Sequence, residues 1–235
     1  MTKHALLNNL EHRDLRVILT PGAAYGDDVQ FAQTFPAEFR NVQAHYPIVF
    51  AKGQDGVFNP LALFGFREKQ NLFLQGERWD AAYQPLMIER QPFLIGTSST
   101  GQVIHIDLDS PRVSRTAGEA VFLEQGGNSE FLERVASILA ALHQGLEANA
   151  PFIAALQKYN LLESFVLDIE FRDGVQHRFT GFYAIQEERL DALDAAALGD
   201  LHRQGFLSAI YMVIASFSNF RELIERASRL NAGER

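Results

Sequence analysis

The first half of the chain alternates apolar and polar residues with a period of two, which is typical of half-buried β-strands. Leu15, Val17 and Leu19 show this alternation close to the N-terminus. Longer apolar runs follow, and turn signals such as Asp55-Gly56 separate them. The pattern predicts antiparallel strands at 14–19, 47–51, 57–66, 70–75, 93–97 and 102–109.

Short connections lie between these strands. The segment 20–28 is rich in turn-forming residues and predicts a surface loop. Pro36 favours the start of a short helix, because a proline has no N–H to lose in the first helical turn. Pro85 and Pro92 limit the segment 79–91 to a short helical or irregular crossover.

The second half of the chain changes to a period of 3.6 residues, which predicts helices with one buried face. Side chains that can cap helix N-termini precede several of these segments. The expected caps are Asn128 or Ser129, Asn149, Asp194, and Asn219, the last with Glu222 in a capping box. The apolar run 206–217 predicts a buried core helix, and a homodimer face is the alternative interpretation.

One further hairpin interrupts the helices between residues 164 and 183. A two-residue Asp-Gly turn would set Ile169 opposite Arg178, so that an apolar residue faces a charged one. A three-residue loop that ends in Gly174 instead pairs Leu167 with Phe179 and Asp168 with Arg178. We favour the second register, because both faces of the hairpin then match in character.

Strands early in the chain and helices late in the chain indicate the α+β class. We expect an antiparallel β-rich part over about residues 14–110, packed with a mainly helical part over about 118–230 that contains the further hairpin. Neither a repeat nor a low-complexity linker divides the sequence. We therefore expect one domain over residues 1–235.

Composition excludes several classes of site and partner. The sequence has no cysteine, which removes disulfides, thiolate catalysis and thiolate metal sites. Its net charge of −8, without a block of lysine or arginine, makes nucleic acid an unexpected partner. The sequence shows no signal-peptide pattern, and its apolar runs are too short for a membrane span. We expect a soluble cytoplasmic protein; export to the cell surface without such a signal is the alternative.

A series of short motifs carries a family resemblance through most of the chain. In sequence order they are Ala37-Glu38-Phe39, Tyr46-Pro47-Ile48-Val49-Phe50, Leu63-Phe64-Gly65-Phe66, Asn71-Leu72-Phe73, Trp79-Asp80-Ala81, Arg90 before Pro92-Phe93, Ser110-Pro111, and Gly118-Glu119-Ala120. In this order and spacing the chain resembles the SapC family of bacterial proteins. The resemblance implies an accessory role in a surface-layer or uptake and modification system. It supplies no catalytic residues.

The aromatic and charged residues between the two prolines are the best candidate for an interaction surface. Rigid rings beside a forked cation often supply much of the energy of a protein or peptide contact. The candidate residues are Trp79, Asp80, Tyr83, Glu89 and Arg90. The alternative is structural: the two rings close one end of the sheet, and the charged groups satisfy nearby backbone.

Two other patterns resemble catalytic sites. His105 and Asp107 on one strand face, with His177 far along the chain, have the composition of a non-haem Fe(II) site. The alternative is a solvated strand face and an unrelated histidine. The segment His12-Arg13-Asp14-Leu15 imitates a kinase catalytic loop, but the motifs that accompany it in kinases are missing.

We therefore expect a non-catalytic accessory or interaction protein with a protein or peptide partner and no cofactor. A metal-dependent enzyme or ligand-binding protein and a structural surface-layer component are the alternatives.

Overall fold

In the computed structural model, residues 3–98, 101–170, 176–231 and 233 are described. Their contacts group the chain into two compact units. The first unit comprises 1–27, 74–80 and 86–144, and the second comprises 28–73, 81–85 and 145–235. The single domain expected from the sequence stays a prediction.

Strands dominate the early part of the chain and helices the late part, which confirms the predicted α+β class. The strands are β1 His4–Leu6, β2 Arg16–Val17, β3 Phe31–Gln33, β4 Ile48–Lys52, β5 Phe58–Leu63, β6 Leu74–Gln75, β7 Arg78–Trp79, β8 Phe93–Ser98, β9 Gly101–Asp107, β10 Val113–Ser114, β11 Glu119–Ala120, β12 Leu162–Glu170 and β13 Gln176–Ile185. The helices are α1 Phe39–Val42, α2 Leu86–Glu89, α3 Glu130–Glu147, α4 Asn149–Lys158, α5 Glu187–Asp191, α6 Ala195–Arg203, α7 Phe206–Ser216 and α8 Asn219–Asn231, and a 3₁₀ turn covers Ala23–Tyr25.

The first unit contains small antiparallel sheets. Their strand orders are β1-β9-β8, β10-β2-β11 and β6-β7. The predicted hairpin of β8 and β9 is confirmed, and β1 adds a third strand by pairing Ala5 with Ile106. Phe93 of β8 packs against Phe131 of α3, with 5.8 Å between the ring centroids.

A buried ion pair fixes the loop that follows β2. The Arg112 guanidinium donates to the Asp27 carboxylate at 2.5 Å, and the two side chains are 5% and 0% exposed. The same guanidinium donates to the carbonyls of Ile18 and Thr20, and Gly22 N–H donates to Asp27 at 2.8 Å. The prediction of a surface loop is therefore wrong for Asp27. A local turn pattern cannot reveal that a distant arginine draws one of its residues inward.

The second unit contains a larger antiparallel sheet with the strand order β12-β13-β4-β5-β3. The favoured register of its hairpin is confirmed, since Leu167 pairs with Phe179 and Asp168 with Arg178. The tip of that hairpin, residues 171–175, lies outside the described residues. A bulge in β13, where Thr180 and Gly181 lie opposite the single residue Val166, shifts the register nearer the start of β12, and the sequence analysis did not predict it.

Aromatic rings fill the core of the second unit. Phe152 of α4 makes edge contacts with Phe39 of α1 and Phe206 of α7, at centroid distances of 5.8 and 5.5 Å. Ser216 at the end of α7 accepts a hydrogen bond from Ile48 N–H at 2.8 Å, which satisfies the first backbone donor of β4. Ile210 and Val213 of α7 are fully buried, whereas Tyr211 is 51% exposed. The run 206–217 thus forms a core helix with one open face.

The predicted caps have different outcomes. Ser129 Oγ accepts from Leu132 N–H and Asp194 Oδ1 accepts from Ala197 N–H, so these two caps are confirmed. The amides of Asn149 and Asn219 do not cap. They donate to the carbonyls of Thr34 and Gln43, which are remote in sequence. Hydrogen bonds to residues distant in sequence here replace the bonds to the nearby backbone that helix caps make.

The predicted strand at 70–75 is shorter in the structure. Strand β6 begins only at Leu74, because Asn71 accepts a hydrogen bond from Phe73 N–H and forms a local turn.

The buried ion pair should be far more sensitive to mutation than an exposed pair of the same type. We expect Arg112→Met to lower the free energy of unfolding by about 3–5 kcal/mol, because it leaves the Asp27 carboxylate buried without its cation. Urea denaturation is the measurement. Arg78→Met, which breaks the exposed Arg78–Asp80 pair, is the matched control and should change stability by about 1 kcal/mol or less. Equal losses in the two variants would contradict this assignment.

Two helical glycines should respond in opposite directions to the same substitution. A Cβ at Gly145 of α3 would collide with the buried Phe35 ring, whereas a Cβ at Gly199 of α6 would meet only the flexible Arg203 guanidinium at 3.4 Å. We expect Gly145→Ala to destabilise by about 1–3 kcal/mol and Gly199→Ala to stabilise by about 0.4–1 kcal/mol. Urea denaturation of both variants tests the pair; stabilisation by Gly145→Ala would contradict the role of the Phe35 contact, and destabilisation by Gly199→Ala would contradict the open surroundings of Gly199.

Candidate functional site

The β6–β7 hairpin carries two of the predicted surface residues. Gly76, with φ +61°, and Glu77 form its two-residue turn, and Leu74 pairs with Trp79. Asp80 accepts hydrogen bonds from Gln75 and Arg78, both at 2.9 Å, and Arg78 also donates to the Gln75 side chain at 3.0 Å. Three polar side chains therefore hold one another on the hairpin that presents the half-buried Trp79.

Glu89 and Arg90 lie at the end of α2, also in the first unit. The Arg90 guanidinium donates to the Phe93 carbonyl at 2.7 Å, and its Nε lies 3.0 Å from the Met87 sulfur. Partial burial lowers the pKa of this guanidinium. Glu89 is exposed as a residue, yet desolvation of its carboxyl raises its pKa, and nearby Arg134 offsets only part of that rise.

Tyr83, the fifth predicted residue, belongs to the second unit, where it joins a buried polar network. Its hydroxyl donates to Glu38 at 2.8 Å, and Thr34 donates to the other oxygen of Glu38 at 2.6 Å. The Tyr46 hydroxyl donates to the Tyr83 carbonyl. Glu38 is thereby buried with partners on both carboxylate oxygens. This network attaches the segment 81–85 to the start of α1.

The residues of the hypothetical Fe(II) site lie on two different sheets. His105 and Asp107 are on β9 in the first unit, and the backbone of His177 is on β13 in the second unit. The His105 ring covers Gly96, where a Cβ would lie 2.5 Å from Cδ2 of the ring. No group of three or more metal-binding side chains occurs among the described residues, which do not include the His177 side chain. The Fe(II) site stays a prediction.

A groove that the sequence analysis missed lies in the first unit. It has a volume of about 440 Å³, and three arginines, Arg13, Arg16 and Arg115, line it. The carboxylate residues Asp14 and Glu124 also line the groove, and Leu15, Ala120 and Phe122 supply apolar surface. A smaller cavity of about 170 Å³ shares Arg13, Phe122 and Glu124 with it.

The β10-β2-β11 sheet builds this groove. Strand β2 lies between the other two, so the segment that joins β10 to β11 must cross one end of it. Gly118 in that segment has φ +94°, and a Cβ there would lie 2.8 Å from Ile18 N. Only glycine fits a position that combines positive φ with so close an approach of two backbones. Arg16 then donates to the Gly118 carbonyl at 2.8 Å.

The other two arginines differ in how they are held. Arg13 donates to the Glu124 carbonyl at 2.6 Å. Arg115 is exposed, and the described part of the chain offers it neither a hydrogen bond nor an ion pair. In the sequence, the one feature that could have pointed to Arg115 is its position three residues after Arg112. His12, the histidine of the kinase-like motif, is buried and accepts from Asn8 N–H through Nδ1, so its role is local.

A comparison with known families identifies the chain. The SapC family model matches residues 7–223 of the 235. The chain belongs to the SapC family. Neither a curated protein nor a solved structure matches it. In this SapC family member, no helix of the described residues is long and apolar enough to cross a membrane.

The raised pKa of Glu89 makes a prediction about the pH dependence of stability. The folded protein holds the carboxyl proton to a higher pH than the unfolded chain does, so stability falls as the pH rises from the ordinary glutamate pKa through the folded one. Glu89→Gln keeps the side chain neutral at every pH. We expect its unfolding free energy, relative to the parent, to increase across that interval and then to stay constant. Urea denaturation at a series of pH values tests this, and a difference that does not change with pH would contradict it.

Proposed function

We propose that this SapC family member is a non-catalytic accessory protein that binds a protein or peptide partner. The proposed contact uses Trp79 and Asp80 of the β6–β7 hairpin together with Glu89 at the end of α2. Arg90 and Tyr83 are not assigned to the contact, because each is hydrogen-bonded within its own unit, Arg90 to the Phe93 carbonyl and Tyr83 to Glu38.

The observation that carries this proposal is the preorganised hairpin. Asp80, Gln75 and Arg78 hold one another, so little conformational freedom remains to be lost when a partner binds. The half-buried Trp79 combines a fixed base with accessible ring surface, and tryptophan is enriched among residues that dominate binding energy.

The electrostatics of Glu89 favour the same surface. Its carboxyl is partly desolvated and its pKa is raised, so its charged form is poorly compensated in the free protein. A cationic group of a partner would supply that compensation, which would lower the pKa of Glu89 and strengthen the complex. The proposed partner therefore presents a basic side chain beside an apolar one.

Site-specific photo-crosslinking in cells that naturally produce the protein tests the proposal. A photoreactive residue at Glu77, in the hairpin turn, should crosslink to one specific polypeptide. Trp79→Ala should reduce that product by about tenfold or more, because loss of a central ring typically removes much of the binding energy. Tyr211→Ala, which removes an exposed aromatic of the second unit, is the matched control and should leave the yield unchanged.

A yield that Trp79→Ala leaves unchanged, or the absence of any product, would reject the proposed surface. The metal-dependent alternative predicts stoichiometric iron in the purified protein, which metal analysis of the same sample measures. The surface-layer alternative predicts that the crosslinked product is this chain itself and that it fractionates with the cell surface.

A further inference from the structure

We propose that the arginine-lined groove of the first unit, formed by Arg13, Arg16 and Arg115 around β2, binds a small organic anion with two or more negative charges. The site is separate from the β6–β7 hairpin, and its chemistry is independent of the protein partner proposed above.

The positive charge of the groove is the first argument. Arg13 and Arg16 are held by the backbone carbonyls of Glu124 and Gly118, which orient a guanidinium without neutralising it. Arg115 has no partner among the described residues. Arg112, whose charge is neutralised by Asp27, lies directly before β10, whereas Arg115 lies directly after the same strand. The forked N–H groups of arginine match the oxygens of carboxylate or phosphate.

The surroundings of the groove decide between a small and a large anion. Asp14 and Glu124 also line it, and the chain as a whole carries a net charge of −8. An extended polyanion, such as a nucleic acid or an anionic membrane, would meet these negative charges as it spread beyond the three arginines. A compact anion can contact all three arginines and meets only the two carboxylates that line the groove itself.

The size and floor of the groove indicate an organic ligand. A volume of about 440 Å³ exceeds by an order of magnitude the roughly 30 Å³ that one water molecule occupies. Leu15 and Phe122, which are 3% and 8% exposed, provide apolar surface at the base. Pockets for small molecules typically combine such a floor with a few fixed polar groups.

Isothermal titration calorimetry of the full chain with citrate and with inorganic phosphate, at constant ionic strength, tests the proposal. Citrate represents the carboxylate class and phosphate the phosphoryl class, so their relative affinities distinguish the two sources of charge. We expect at least one of them to bind at one site. Arg115→Ala should weaken that binding by about tenfold or more, because it removes a charge-assisted contact.

Matched variants distinguish binding at the groove from a general effect of the net charge of the protein. Arg221→Ala makes the same change in net charge on α8 of the second unit, and it should leave the affinity unchanged. Arg115→Lys keeps the charge but loses the fork, so an intermediate affinity is expected. Asp14→Asn should strengthen binding by removing a repulsive carboxylate. Arg115 is exposed and makes no hydrogen bond or ion pair with the described residues, so its variants should remain folded.

The proposal is overturned if neither citrate nor phosphate binds, or if Arg115→Ala and Arg221→Ala reduce the affinity equally. It is also overturned if vesicles of phosphatidylglycerol bind through Arg115 while both small anions fail to bind. None of these outcomes bears on the photo-crosslinking result, because the hairpin and the groove share no residue.

Discussion

The buried ion pair between Arg112 and Asp27 is the constraint on which the first unit depends. A guanidinium in a protein interior is stable only when its charge is paired, and here the Asp27 carboxylate and the carbonyls of Ile18 and Thr20 bind its two terminal nitrogens. One side chain therefore fixes the whole loop after β2 to the strand beside it. This loop continues from β2, which lies between β10 and β11 and carries Arg16 of the groove.

A buried carboxylate has the corresponding role in the second unit. Glu38 accepts from Thr34 and Tyr83, and it holds segments that are distant in sequence against the start of α1. In both units an aromatic and aliphatic core supplies most of the burial, and a few hydrogen-bonded or ion-paired polar groups determine which loop lies where. Such groups are effective because an unsatisfied charge in the interior would be strongly destabilising, so alternative arrangements of these loops are excluded.

Features that depend on residues close together in the sequence were predictable, and features that depend on residues far apart were not. The hairpin register that pairs Leu167 with Phe179 was predictable, because alternation and turn chemistry are local. The Asp194 cap was predictable for the same reason. Asn149 was not, since its amide bonds to Thr34, more than a hundred residues earlier. The arginine-lined groove was missed in the same way, because only tertiary structure brings Arg13 and Arg115 together.

This distinction also separates the residues that mark the family from those that can act on a ligand. Glu38, Tyr46 and Gly118 all belong to the motifs that carry the resemblance, and each has a structural role that its chemistry explains. A side chain whose hydrogen bonds are used by the fold has little left for a partner. Arg115 lies outside those motifs, and its charge is not used by any described contact. Family membership therefore follows from the residues that build the two units, whereas function is better sought where the fold leaves charge uncompensated.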